Sequence, residues 1–203
     1  MVLIENKLFK LEISDNCVAK SLILKSTGEE CLYEETALFS LTQERPYNNE
    51  IKLVYPNKRT TFVANRIRRD GNKLFIGFEL VAFEAVIELH ENDDFVGFNL
   101  VDFIVPEDTY GVGTKFIIPA PISKFRMLQL SLTKRVNFGN WLNAVWDKNA
   151  AIGVIATSPY AMPDADNNKN SYLLYASLGA IMQYLCLITG YVQSPLSLMK
   201  DKT

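Results

Sequence analysis

The chain has 203 residues, enough for one large domain that buries a core without disulfide or metal staples. Its 48% hydrophobic and 22% charged content is ordinary for a globular protein, and a net charge of −2 lacks the clustered excess of Lys and Arg that nucleic acid requires. Cys17, Cys31 and Cys186 cannot all pair within one chain, none lies in a C-x-x-C spacing, and His90 is the only histidine, so neither a zinc site nor another metal or cofactor is expected.

From Lys7 to about Thr157 the apolar residues recur with period two. The N-terminus carries Glu5 and no long apolar core before a small-residue cleavage site, which argues against a secretory signal and for a cytoplasmic chain with reduced thiols. Phe9, Leu11 and Ile13 alternate with Lys10 and Glu12, the mark of a half-buried strand. Ser14-Asp15-Asn16 turns the chain into a returning strand, Val18 to Leu24. The clearest hairpin follows Thr60: Arg69-Asp70-Gly71-Asn72 separates two strand-like runs, and Asp-Gly suits the positive φ of tight turns. The basic cluster Arg66-Ile67-Arg68-Arg69 reads as a solvated strand end before that turn. Phe83 to Leu89 continues the alternation, and Phe95 to Val105, apolar on both faces, reads as a central strand. Phe125 to Leu132, Leu142 to Trp146 and Ala151 to Ala156 complete about ten strands with no amphipathic helix between them, which predicts an all-β fold, a large antiparallel β-sandwich.

The pattern changes after Pro163. A domain of residues 1–163 is expected, followed over 164–203 by a polar loop and an apolar tail. Asn170 through Met199 carries no charge, and Tyr172 to Val192 is long enough to span a membrane. Ala176, Gly179, Gln183, Cys186 and Gly190 would fall on one helical stripe of the kind used in close helix packing. A membrane span and an element buried in a soluble fold both remain open for this segment.

Candidate chemistry is sparse. There is no G-x-S-x-G, and a Ser–His–Asp arrangement would have to use His90, which sits at a strand end. Glycosidic hydrolysis needs two carboxylates about 5–10 Å apart. Asp102, Glu107, Asp108 and Asp147 are available, and Asp102 stands out because it interrupts an apolar strand. Asp164, Asp166 and Asn168 resemble the opening of a calcium loop, but Lys169 occupies the place of the turn glycine and Tyr175 that of the bidentate Glu. Gly111-Val112-Gly113 lacks the strand-turn-helix setting of a phosphate cradle.

The aromatic segment Asn137 to Asp147 carries more information. It mixes Trp141 and Trp146 with amides, including Asn143. Five residues apart on one strand, the two indoles would face opposite sides, one toward the core and one toward water. An exposed indole beside amides suits a sugar: the apolar ring face stacks and the amides take the hydroxyls. Trp141, Trp146, Asn143 and Asp102 are therefore the candidate ligand-binding residues, with no catalytic set assigned.

The opening Ile4-Glu5-Asn6-Lys7-Leu8-Phe9-Lys10-Leu11, then Ala19 to Leu24 and Thr27-Gly28-Glu29-Glu30, resembles the start of galactose-mutarotase-like β-sandwich domains of bacterial glycoside hydrolases. Phe138 to Asp147 and Gly153-Val154-Ile155-Ala156 fit the same picture, so the resemblance covers roughly residues 1–160. It implies a supersandwich fold and a carbohydrate-associated accessory role, with the catalytic carboxylates mostly on a downstream catalytic domain as partner. The mutarotases use several histidines with a glutamate base, and a chain with one histidine cannot hold that site. The segment from Ser171 onward matches nothing expected of the family; a truncated or frame-shifted gene and a membrane anchor are the two explanations it suggests. The alternative functions are an aldose epimerase or a hydrolase with a carboxylate pair, and a membrane-attached interaction domain.

Overall fold

Short alternating runs joined by tight turns favour hairpins, and the chain folds as a succession of them. The structure, a computed structural model, describes residues 1–44, 59–78, 81–104 and 122–178. Every strand pairing among the described residues is antiparallel, and these residues contain no helix. The N-terminal hairpins build one sheet from β1 (Val2–Glu5), β2 (Phe9–Ile13), β3 (Val18–Leu24), β4 (Glu29–Glu30) and β5 (Thr36–Ala37). A second, eight-stranded sheet contains β6 (Ser40–Glu44), β7 (Arg59–Asp70), β8 (Lys73–Phe78), β9 (Val81–Glu91), β10 (Val96–Ile104), β11 (Ile122–Thr133), β15 (Ala161–Asn167) and β16 (Ser171–Leu178). Its order is β10-β9-β8-β7-β6-β11-β16-β15. Between β11 and β15 the chain forms a small third sheet from β12 (Asn137–Gly139), β13 (Ala144–Trp146) and β14 (Ala151–Gly153).

The two large sheets form a β-sandwich. Ile4, Leu11, Ile13, Ala19 and Leu22 from the first sheet share one core with Leu41, Leu74, Ile76, Phe78, Ile87, Phe125 and Leu174 from the second. Phe125 is its aromatic centre, stacked near-parallel on Phe39 and met edge-on by Phe78 and Phe103. Removing this much apolar surface from water supplies most of the free energy that holds such sheets together.

The Asp70-Gly71 hairpin forms where the sequence places it, with Asp70 opposite Lys73. Gly71 has φ +58° and Asn72 does not share the positive φ, so the turn carries its glycine at the first central position, as a type II′ hairpin requires.

Two expectations need correction. The run Phe95 to Val105 is not central: among the described residues β10 pairs only with β9, at the edge of the sheet. Its apolar residues occupy both parities because a bulge at Val101 breaks the alternation. Val96, Phe98 and Leu100 pack on the core, the register skips one residue, and Phe103 then takes the inward position. The second correction concerns 164–170. Asp164 to Asn167 is strand, not loop, and the boundary expected after Pro163 falls inside β15. Ala165 points inward while Asp164 and Asp166 are exposed, a period of two that the acidic residues conceal. Pro163 is tolerated because β15 is an edge strand, where a missing N–H costs no ladder bond. Ser171 to Leu178 is then strand β16, inside the sheet, with Leu174 and Ala176 in the core and Leu173 half-buried. Residues 179–203, including the rest of the proposed span and Cys186, lie outside the described residues, as do Glu107, Asp108 and Gly111 to Gly113. Among the described residues no helix is long and apolar enough to cross a membrane.

Cys17 and Cys31 are free and buried. Burial pushes the Cys17 thiol up to about 12, and it raises that of Cys31 as well. Because the thiolate is the reacting form, both should react with a disulfide reagent at neutral pH at less than about a tenth of their rate in the denatured chain. Equal rates in folded and denatured protein, measured residue by residue after tryptic digestion, would contradict the burial.

Candidate functional site

The candidate site grows from the loop between β12 and β13. Gly139 pairs with Ala144, leaving the four residues Asn140 to Asn143 to reverse the chain. The Leu142 N–H donates to the Gly139 carbonyl at 3.1 Å, and the Asn143 N–H to that of Asn140 at 3.0 Å. Asn143 closes the loop with φ +47°, a left-handed conformation that Asn tolerates better than most residues. This turn interrupts the strand expected over Leu142 to Trp146 and decides where the indoles go. Trp141 projects from the loop, 98% exposed, with Leu142 and Asn140 also exposed beside it. Trp146 lies on β13, half-buried, with its ring across Gly139, where a Cβ would sit 3.0 Å from the indole. Gly139 is the residue that gives that ring its space.

Asn143 faces inward. It is fully buried, and its Nδ2 donates to the Val154 carbonyl at 2.7 Å and to the Tyr175 carbonyl at 3.0 Å. Both partners are acceptors, which fixes the amide with its NH2 toward them. This contact meets β16 at the point where the β11 register skips from Met127 to Leu130, opposite Tyr175. Asn143 therefore pins the small sheet onto β16. Phe138 strengthens the same junction by stacking on Tyr172 at 4.3 Å and 8°. Val145 and Val154 complete it in the core.

A second tether secures the other end of the small sheet. The Arg135 side chain, 5% exposed, donates from Nη1 to Asp147 Oδ2 at 2.8 Å and from Nη2 to Glu29 Oε1 at 2.9 Å. Nη2 also approaches Cys31 Sγ at 3.5 Å. The Asn149 N–H holds the Asp147 carboxyl below the usual carboxylate range, helped by the Ala150 N–H and by Arg135, against the opposing effect of desolvation.

Trp141, Asn143 and Trp146 thus sit in one small sheet. Asp102 belongs to β10, at an edge of the eight-stranded sheet. The bulge at Val101 turns it outward, where its Oδ1 accepts from the Phe103 N–H at 2.8 Å. A matching bulge at Asn65 turns Arg66 out of β7 onto the same face. There Asp102 shares a cross-strand row with Val86, Phe75 and Arg68, next to the row of Arg66, Gly77 and Glu84. Of the other carboxylates, Asp147 is committed to Arg135 and to its own turn. His90 is exposed, 3.7 Å from Glu88. An open groove of about 500 Å³ is lined by Glu5, Asn6, Glu91, Asn92, Asp93 and Asp94, with three of its carboxylates already paired to Lys25, Arg69 and Lys7. No group of residues able to hold a metal ion occurs among the described residues.

Two residues of this region escape sequence reasoning: Asn140, the exposed amide next to Trp141, and Arg135. The turn rule could have found Asn140, since a Gly-Asn pair between two strand-like runs is a turn signal that presents the Asn to water. Nothing in the local pattern marks Arg135, whose partner Glu29 lies 106 residues away. No family model matches the chain, and no curated protein matches it.

Proposed function

We propose that the chain is a carbohydrate-associated accessory β-sandwich domain without catalytic activity of its own, of the galactose-mutarotase-like kind, and that Trp141 is its sugar contact. The observation that carries this reading is the near-complete exposure of Trp141 on a loop clamped from beneath by Asn143. A solvent-facing indole held on an ordered turn offers a flat apolar ring for the face of a pyranose, with little ordering cost on binding. The Asn140 amide beside it supplies donors and an acceptor for hydroxyls. Asn143, fully hydrogen-bonded through its NH2, positions the loop. Under this reading the natural companion of the domain is a catalytic domain that supplies the carboxylates.

One stacked ring contributes on the order of 1 kcal/mol, so affinity should be weak, in roughly the millimolar range. Calorimetry or NMR titration against neutral mono- and oligosaccharides should find at least one that binds. Trp141→Ala should weaken that binding by roughly fivefold or more while leaving the unfolding midpoint unchanged, because the indole packs against so little. Unaltered binding by the variant, or no binding to any sugar of the panel, would sink the proposal.

A further inference from the structure

A second polar cluster lies on the outer face of the eight-stranded sheet. Phe125 and Met127 of β11 and Leu174 and Ala176 of β16 face the core, so Lys124, Arg126, Tyr175 and Ser177 project from the opposite face. Arg126 pairs in register with Ser177, and its guanidinium carbon lies 4.5 Å from the Tyr175 ring centroid. The Lys124 ammonium lies over the same ring at 5.8 Å. Two half-buried cations therefore converge on one aromatic side chain, and neither has an ion-pair partner within 4.0 Å among the described residues. Ser177 is 7% exposed, and its hydroxyl has no hydrogen-bond partner.

The neighbouring acids do not resolve this crowding. Asp164 accepts from the Tyr175 hydroxyl at 3.0 Å, which occupies one of its oxygens. Desolvation lowers the Lys124 pKa, and so does the Arg126 charge; Asp164 and Asp166 act the other way and do not reverse it. A cation pair kept partly dry, with an unpartnered hydroxyl beside it, has nearby carboxylates but no contact ion pair among the described residues.

We propose that Lys124 and Arg126, with the hydroxyl of Ser177, form a site for one small oxyanion group, a carboxylate, sulfate or phosphate carried by a small ligand. The guanidinium offers a planar fork that matches two oxyanion oxygens, the ammonium a point charge, and the serine a neutral donor. The site uses none of the residues assigned to neutral sugar binding, so it stands or falls separately from Trp141.

The test is a titration of the full chain with sulfate, phosphate and glucuronate, against chloride at matched ionic strength and against glucose. An oxyanion should raise the unfolding midpoint and shift the backbone amides around Lys124, Arg126 and Ser177, where chloride and glucose do neither. Binding of all three assigns the oxyanion group alone; binding of glucuronate without sulfate or phosphate assigns an acidic sugar. The double variant Lys124→Gln, Arg126→Gln should weaken binding at least tenfold, whereas Trp141→Ala should leave it unchanged. Should the double variant fail to fold, the amide shifts of the wild-type chain decide. Shifts located elsewhere, no difference from chloride, or wild-type affinity in a folded double variant would each overturn the site.

Discussion

Replacing Asn143 with alanine should destabilise the fold by about 2–5 kcal/mol, the largest single-residue effect expected outside the apolar core. Two separate losses add. The carbonyls of Val154 and Tyr175 lose their shared donor in a buried place, at roughly 1–3 kcal/mol for the two together. Alanine must also adopt the left-handed backbone at φ +47°, at about 1–2 kcal/mol. Asn143→Gly separates the two, since it removes the hydrogen bonds but not the backbone freedom, and should cost less than alanine. Asn143→Asp should be worse than glycine, because it turns a carboxylate oxygen toward two carbonyls. Urea unfolding of the three variants gives the order; an alanine variant within about 0.5 kcal/mol of wild type would show that the small sheet does not depend on this clamp.

Arg135→Ala should cost about 2–4 kcal/mol at neutral pH. Removing one partner of a buried pair leaves the others short of compensation, here discounted because Glu29 is partly exposed. Arg135→Lys should recover only part of the loss, since one ammonium cannot span Glu29 and Asp147 with the geometry of a guanidinium fork. The pH dependence follows from Asp147. Its folded pKa is depressed below an unfolded value near 4, so its contribution is present above about pH 4 and is lost as pH falls through the lower folded value. The stability gap between wild type and Arg135→Ala should therefore narrow in acid. A gap that widened below about pH 4 would mean that the Asp147 carboxylate is not what Arg135 stabilises.

The strands are legible in the sequence because a sheet with one buried face imposes a period of two, and turn residues such as Asp70-Gly71 punctuate it. The pattern misleads where one residue changes the parity. At Val101 a single bulge makes an edge strand look apolar on both faces. At Asp164 and Asp166 exposed acids on an edge strand look like a loop. For the candidate site, the aromatic composition of Asn137 to Asp147 draws attention to the correct segment, but spacing alone gives Asn143 a ligand role. Its inward role rests on the bond to the Tyr175 carbonyl, 32 residues from it along the chain, and no local pattern encodes that. Arg135, joined to Glu29 across 106 residues, is invisible for the same reason.

That long-range closure has a consequence for synthesis. The strip around Cys31 to Tyr33 is completed only by Ser131 to Thr133, through the bonds from the Tyr33 N–H to the Ser131 carbonyl and from the Thr133 N–H to the Cys31 carbonyl. At about 5–20 residues per second, the first five strands wait several seconds at the ribosome, with the core around Ile4, Leu11, Ile13 and Leu22 incomplete until β11 brings Phe125 and Leu132. During that interval the nascent chain is a client for a holdase and a seed for aggregation, and slowing translation between residues 44 and 122 should lower the soluble yield.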